Sequence, residues 1–202
     1  DAGWIQSNKL YLICERGILT VIEVRFHGRG GQGAVTSAEL VALAAISEEK
    51  YAQSFPSFGP ERRGAPVQSF TRVSEEPIRL RSGILKPDLV VVLDPSLIEV
   101  GGALSGLKTD GTIVINTRKS LAEIKKEFSI KNRTAIVNAT SIAQEILGLP
   151  ITNTTMIGAL VKASGIVEME SLIEPLRHRF GKIAERNITV CQKAFEETVV
   201  EE

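Results

Sequence analysis

The sequence predicts an α/β fold: a Rossmann-like, mostly parallel sheet flanked by helices, carrying a β-hairpin and a helical C-terminal tail. Three observations predict it. Val21–Phe26 alternates like a strand, then four glycines crowd a turn at 28–33, then Ala34–Ile46 reads as an apolar helix. Asp88–Leu93 is a short, nearly unbroken apolar run, as expected of a strand covered on both faces. Strand and helix patterns alternate as far as Leu147, and after Pro150 only helical periodicity is left.

The 202 residues suffice for one domain with a full core. Residues 1–20 read as an irregular extension and 21–202 as a single domain. The sequence starts at Asp1 rather than Met, and its early apolar run, Leu10–Cys14, is too short to cross a membrane. It lacks the small-residue cleavage pattern of a secretory signal, so a cytoplasmic location is expected. After the first helix, Lys50–Ser54 is a short strand, and a loop dense in Pro and Gly runs from Phe55 to Pro66. Val67–Val73 follows as a strand with Ile78–Arg81 as its hairpin partner. Pro95–Leu104 suits a short helix. Thr112–Ile115 and Thr134–Val137 are further strands, followed by helices over Ser120–Glu127 and Ser141–Leu147. The tail reads as helices Met156–Ser164, Glu170–Phe180 and Lys182–Val199, with Asn153 or Thr154 as an N-cap and Gly165 and Gly181 as stops.

Charge excludes one class of partner. Lys+Arg and Asp+Glu both number 24, so nucleic acid is not expected, because tracking phosphates needs a basic domain. Cys14 and Cys191 are too far apart to resemble a metal or redox motif, and no metal set is expected. No nucleophile–His–acid order or carboxylate pair appears, so no catalytic residue is assigned. His178 lies on a charged helix and reads as solvated. His27 is either a packed strand-end histidine or a binding residue beside the glycines.

The chemistry-bearing stretch is Gly28-Arg29-Gly30-Gly31-Gln32-Gly33. Glycines let backbone amides approach a ligand, and the following helix presents unpaired amides with a partial positive charge, which suits an anion. The plainer alternative is a tight turn with no ligand. Asp94, Asn116 and Asn138 each follow a strand at the edge where α/β sheets bind ligands; each can cap the next helix instead, and Asp94 is the one that suits a ligand best. A nicotinamide site would want an acid at the end of the second strand, where Gln53-Ser54-Phe55 stands, so NAD is disfavoured while NADP stays open. Arg62 and Arg63 sit on a loop stiffened by Pro56, Pro60 and Pro66, and their planar forks suit phosphate or carboxylate. Arg79 and Arg81 read as a solvated basic edge or a subunit contact.

The glycine stretch, Ser57-Phe58-Gly59-Pro60-Glu61-Arg62-Arg63-Gly64-Ala65-Pro66, Pro87-Asp88 before a Val-rich strand, and Asn153-Thr154-Thr155-Met156-Ile157-Gly158-Ala159-Leu160 together resemble the gamma-subunit family of the 2-oxoacid:acceptor oxidoreductases, in its pyruvate:ferredoxin branch. The resemblance runs from about Val21 to the C-terminus. It implies a complex that converts pyruvate and coenzyme A to acetyl-CoA and CO2 while reducing ferredoxin, or runs in reverse as pyruvate synthase. It implies partners of alpha, beta and delta type, with thiamine diphosphate and iron–sulfur clusters on those chains. It further implies that coenzyme A is bound partly here, through Gly28, Gly30, Gly31, Gly33, Arg62 and Arg63; Arg29 and Gln32 within the same stretch, and Asp94 beside it, complete the expected binding set. The alternatives are a gamma subunit for another 2-oxoacid (2-oxoglutarate, branched-chain or indolepyruvate), a free-standing NADP- or nucleotide-binding protein, and a purely structural subunit.

Overall fold

The computed structural model describes residues 21–57, 64–100 and 102–201. The expected N-terminal extension, 1–20, lies outside the described residues. Seven strands form one sheet: β1 (Ile22–Arg29), β2 (Tyr51–Pro56), β3 (Pro66–Ser74), β4 (Leu89–Val92), β5 (Thr112–Asn116), β6 (Arg133–Val137) and β7 (Val199–Val200). Their spatial order is β2-β3-β1-β4-β5-β6-β7. Parallel pairing joins β1, β4, β5 and β6. Antiparallel strands flank this block on both sides, so the sheet is mixed.

The hairpin exists, but its strands are β2 and β3. Ile78–Arg81, expected as the partner of β3, is irregular. The reason is edge supply: β3 lies between β1 and β2, and both its edges are already paired. Side chains pin the displaced segment instead. Gln53 donates to the Ile78 carbonyl and the Arg72 guanidinium to the Ser82 carbonyl.

Among the described residues six α-helices cover the sheet: α1 (Ala34–Ser47), α2 (Leu121–Phe128), α3 (Ala139–Leu147), α4 (Asn153–Ser164), α5 (Ile173–Phe180) and α6 (Ala184–Glu197). Strand alternation sorts the core into two sides. Val24, Phe26, Val91, Val114 and Ala135 pack with α1, α4 and α6, whereas Val90, Val92, Ile113, Ile115 and Ile136 pack with Ile98, Ile124 and Ile130. On this second face β1 is polar, with Glu23, Arg25 and His27 alternating with Val24 and Phe26. Arg72 pairs with Glu23 at 2.8 Å. Arg25 donates from Nε to His27 Nε2 at 2.9 Å and from Nη2 to the carbonyls of Ala103 and Ser105. The helix expected over Pro95–Leu104 is a single 3-10 turn, Pro95–Leu97: Gly102 takes a left-handed φ of 57°, and the Ala103 amide returns to the Leu97 carbonyl instead of continuing a helical ladder.

Helix boundaries follow local chemistry. Ser120 and Glu123 form a capping box on α2, and Asn138 caps α3 through the Ser141 amide. The α4 N-cap is Thr152, one residue before the two expected, while Gly165 and Gly181 close α4 and α5 as expected. The last helix stops at Glu197, and Val199–Val200 adds a strand to β6. No helix among the described residues is long and apolar enough to cross a membrane.

Candidate functional site

β1 runs into the glycine stretch as far as Arg29, and the turn itself is Gly30–Gly33. Gly31 and Gly33 hold left-handed φ values of 95° and 82°, which glycine adopts without strain. At Gly33 space matters too: a Cβ there would lie 2.7 Å from Asn153 Nδ2 and 2.9 Å from its Cβ. Gln32 closes the turn twice. Its amide donates to the Arg29 carbonyl at 2.9 Å, and its side-chain oxygen accepts the Arg29 amide at 2.7 Å.

Gly33 is the N-cap of α1. The first backbone bond of the helix runs from the Ser37 amide to the Gly33 carbonyl, which leaves the amides of Ala34, Val35 and Thr36 without an intrahelical partner. Unlike α2 and α3, α1 has no side-chain cap, and its first turn holds no acid. Its positive end is thus turned toward the glycine loop without a carboxylate of its own to neutralise it.

Two other segments meet this turn. The Gly30 amide donates to the Ala65 carbonyl at 2.9 Å, and the Gly64 amide donates to the Gly30 carbonyl at 3.3 Å. Arg62 and Arg63 themselves lie outside the described residues. The Arg29 guanidinium spreads over three partners: Nε donates to Asp94 Oδ2 at 2.7 Å, Nη1 to the Gly64 carbonyl at 3.1 Å, and Nη2 to Ser96 Oγ at 2.7 Å. The other Asp94 oxygen accepts the Ser96 amide and hydroxyl. Burial alone would raise the Asp94 carboxyl, but the hydrogen bonds from Ser96 and Arg29 outweigh it and hold the group below its ordinary value. Asp94 is therefore both the cap of the 3-10 turn and the ionic partner of Arg29.

The structure brings Gly28, Arg29, Gly30, Gly31, Gln32, Gly33 and Asp94 together at the carboxyl edge of β1 and β4. Sequence reasoning missed Ser96 and the Gly64–Ala65 backbone. Asp94-Pro95-Ser96 did carry a signal for Ser96, since an Asp two residues before a donor amide favours an Asx turn. Asn116 does not cap α2, the helix that follows it, which Ser120 caps; it donates to the Leu93 carbonyl and to Thr140 Oγ1 and accepts the Thr140 amide in the first turn of α3, tying β4 and β5 to α3. His27 is packed, not presented, with 2% exposure. Cys191 is buried, and burial pushes its thiol up to about 12, which leaves it inert. No group of three His, Cys, Asp or Glu among the described residues could hold a metal ion.

The missing ribose acid has a structural reason. In a nicotinamide site the second strand lies beside the first, whereas here antiparallel β3 stands between β1 and β2. The end of β2 is two strand spacings, about 10 Å, from the glycine turn.

Comparison with known proteins agrees with this arrangement. A family model described as pyruvate ferredoxin/flavodoxin oxidoreductase matches residues 23–197. The common gamma subunit of the pyruvate/ketoisovalerate oxidoreductases of Thermococcus kodakarensis is 52% identical over 184 residues, covering 90% of this chain and 100% of that protein. The pyruvate synthase subunit PorC of Methanothermobacter marburgensis is 48% identical over 178 residues, 87% of this chain and 97% of that one. The crystal structure of the pyruvate oxidoreductase subunit PORC of Thermotoga maritima superposes with a TM-score of 0.81 at 33% identity, covering 90% of this chain and 99% of that one. With its sheet, its glycine turn and nearly all of its described length accounted for in this way, the chain belongs to the pyruvate ferredoxin/flavodoxin oxidoreductase family.

Proposed function

We propose that this chain is the gamma subunit of a pyruvate:ferredoxin oxidoreductase and that it helps to bind and orient coenzyme A. The observation that carries the subunit assignment is 52% identity along the whole length of a gamma subunit. The coenzyme A role is supported by the uncapped, acid-free start of α1 behind Gly30–Gly33, an arrangement suited to a phosphate. The backbone of Gly28–Gly33 would face one phosphate group of the ligand, and Arg62 and Arg63 would hold another.

The decarboxylation and electron-transfer chemistry is supplied by thiamine diphosphate and iron–sulfur clusters carried on alpha-, beta- and delta-type partners, with ferredoxin as the acceptor. This chain contributes binding and orientation, the part of catalysis that fixes the thiol's approach rather than making or breaking bonds. Assembly with those partners takes place in the cytoplasm.

In the assembled complex, Arg62→Ala and Arg63→Ala are each expected to raise the Michaelis constant for coenzyme A roughly ten- to a hundredfold, the worth of about 1.5–3 kcal/mol for one charge-assisted contact. The Michaelis constant for pyruvate should stay put. Collapse of pyruvate kinetics with coenzyme A unaffected would show the ligand to be misplaced. A second reading concerns the 2-oxoacid: the 52% identical relative is described as common to pyruvate and ketoisovalerate enzymes. On that reading this chain serves both, and two complexes sharing it, one active on each oxoacid, would co-purify with it.

A further inference from the structure

The geometry points to Arg29 and Asp94 as positioning residues rather than ligand contacts: together with Ser96 they clamp the Gly64 end of the Pro- and Gly-rich loop onto the glycine turn. This inference rests on the coenzyme A reading above and deepens it.

Three chain segments far apart in sequence meet at the Arg29 guanidinium. It belongs to the end of β1, where the phosphate-facing turn begins. Its Nε and Nη2 are held by Asp94 and Ser96, at the end of β4. Its Nη1 holds the Gly64 carbonyl. Two backbone bonds, Gly30 to Ala65 and Gly64 to Gly30, run parallel to this side-chain link. The fork geometry of arginine is what lets one side chain serve three acceptors in a plane, so lysine is not an equivalent.

The direction of the clamp is set by Asp94. One of its oxygens is spent on Arg29 and the other on the Ser96 amide and hydroxyl, which fixes the carboxylate and hence the guanidinium. An arginine poised for a phosphate would not ordinarily be neutralised by a carboxylate at 2.7 Å. Gly64 directly follows Arg62-Arg63 in sequence. Fixing its carbonyl against the glycine turn therefore anchors the residue that directly follows the dibasic pair in sequence, a form of pre-organisation for anion binding.

The test is made in the assembled oxidoreductase. Asp94→Asn keeps the side-chain shape and removes the charge, Arg29→Gln removes the fork, and a third variant combines the two. Each single change is expected to raise the Michaelis constant for coenzyme A about tenfold, with kcat and the 2-oxoacid constant within about twofold. The double variant is expected to be no worse than the worse single one, because both break the same link. Ser96→Ala, a milder change, is expected to give the same pattern at about twofold and guards against a misfolded Arg29→Gln protein.

Direct contact predicts the opposite sign for Asp94→Asn, since an Arg29 freed of its carboxylate would meet a phosphate as well or better. An unmoved or lowered constant in Asp94→Asn, beside a raised one in Arg29→Gln, overturns the proposal. Hydrogen exchange in peptides covering Gly30 and Gly64 reads the clamp without any ligand. Exchange is expected to quicken in both single variants, and unchanged exchange overturns the clamp. The coenzyme A reading is judged apart, by Arg62→Ala and Arg63→Ala: if those leave the coenzyme A constant unmoved while exchange quickens in Asp94→Asn, that reading fails and the clamp alone survives.

Discussion

Gly158→Ala is expected to lower the midpoint of thermal unfolding by about 6–12 °C, corresponding to a loss of about 3 kcal/mol. Helix propensity argues the other way, because alanine inside a helix is favoured over glycine by about 1 kcal/mol. Packing decides the sign. A Cβ on Gly158 would stand 2.0 Å from the carbonyl oxygen of Cys191, 2.9 Å from its carbonyl carbon and 3.2 Å from its Cα. These are backbone atoms of α6, so no side-chain rotation relieves the overlap. Nor can α4 retreat, since Met156, Ile157, Ala159 and Leu160 are all fully buried around the contact. The two helices must move apart, opening the core between them. Cys191→Ala is expected not to rescue the variant, because the obstruction is the carbonyl and not the thiol. Calorimetry or circular dichroism of the purified chain checks both, and a Gly158→Ala protein at or above the parent midpoint would refute the packing argument.

Gly158 illustrates where the sequence stops being legible. Its place in a helix could be read from the periodicity of Met156–Ser164, but the approach of α6, more than 30 residues away, could not. The elements that were readable are the ones whose signals are local: the alternation of Val21–Phe26, the glycine turn, the apolar β4 and β5, and the Asp94, Asn138 and Gly165 boundaries. The misreadings are questions of pairing. Val67–Val73 was correctly a strand, yet nothing local says that β1 and β2 take its two edges. Val199 read as the last residue of a helix, but with Val200 it takes the edge that β6 offers. The same limit applies at the site. The glycines announced the strand-to-helix turn through their spacing, whereas the partners of Arg29 are 35, 65 and 67 residues distant. The acceptors of an arginine beside a glycine turn cannot be read from its neighbours in sequence.

Stability is expected to fall as pH drops from 6.5 toward 5, with a slope that steepens toward about 1.4 kcal/mol per pH unit and a loss of about 1.6 kcal/mol in all, well before the carboxylates protonate. The group responsible is His27. Burial, and secondarily the charge of Arg25, push its imidazole from 6.5 down to about 3. The geometry explains why the proton is refused: Nε2 already accepts the hydrogen on Arg25 Nε, and protonation would turn an acceptor into a second donor facing a guanidinium. In the unfolded chain the same imidazole binds a proton near 6.5. Between these two values the unfolded state holds more protons than the folded one, so stability rises with pH across the window and is lost as pH falls. Carboxylates cannot mimic this. Burial alone would raise Glu48 and Asp94, but their hydrogen bonds and neighbouring cations hold both below the ordinary range. Their stabilising contribution is present above their unfolded values near 4 and is lost only below them. His27→Gln supplies an amide oxygen for Arg25 and has no proton to gain. It is expected to flatten the dependence of denaturant midpoint on pH between 6.5 and 5 while leaving the slope below pH 4.5 in place. An unchanged slope in that variant would assign the acid sensitivity to some other group.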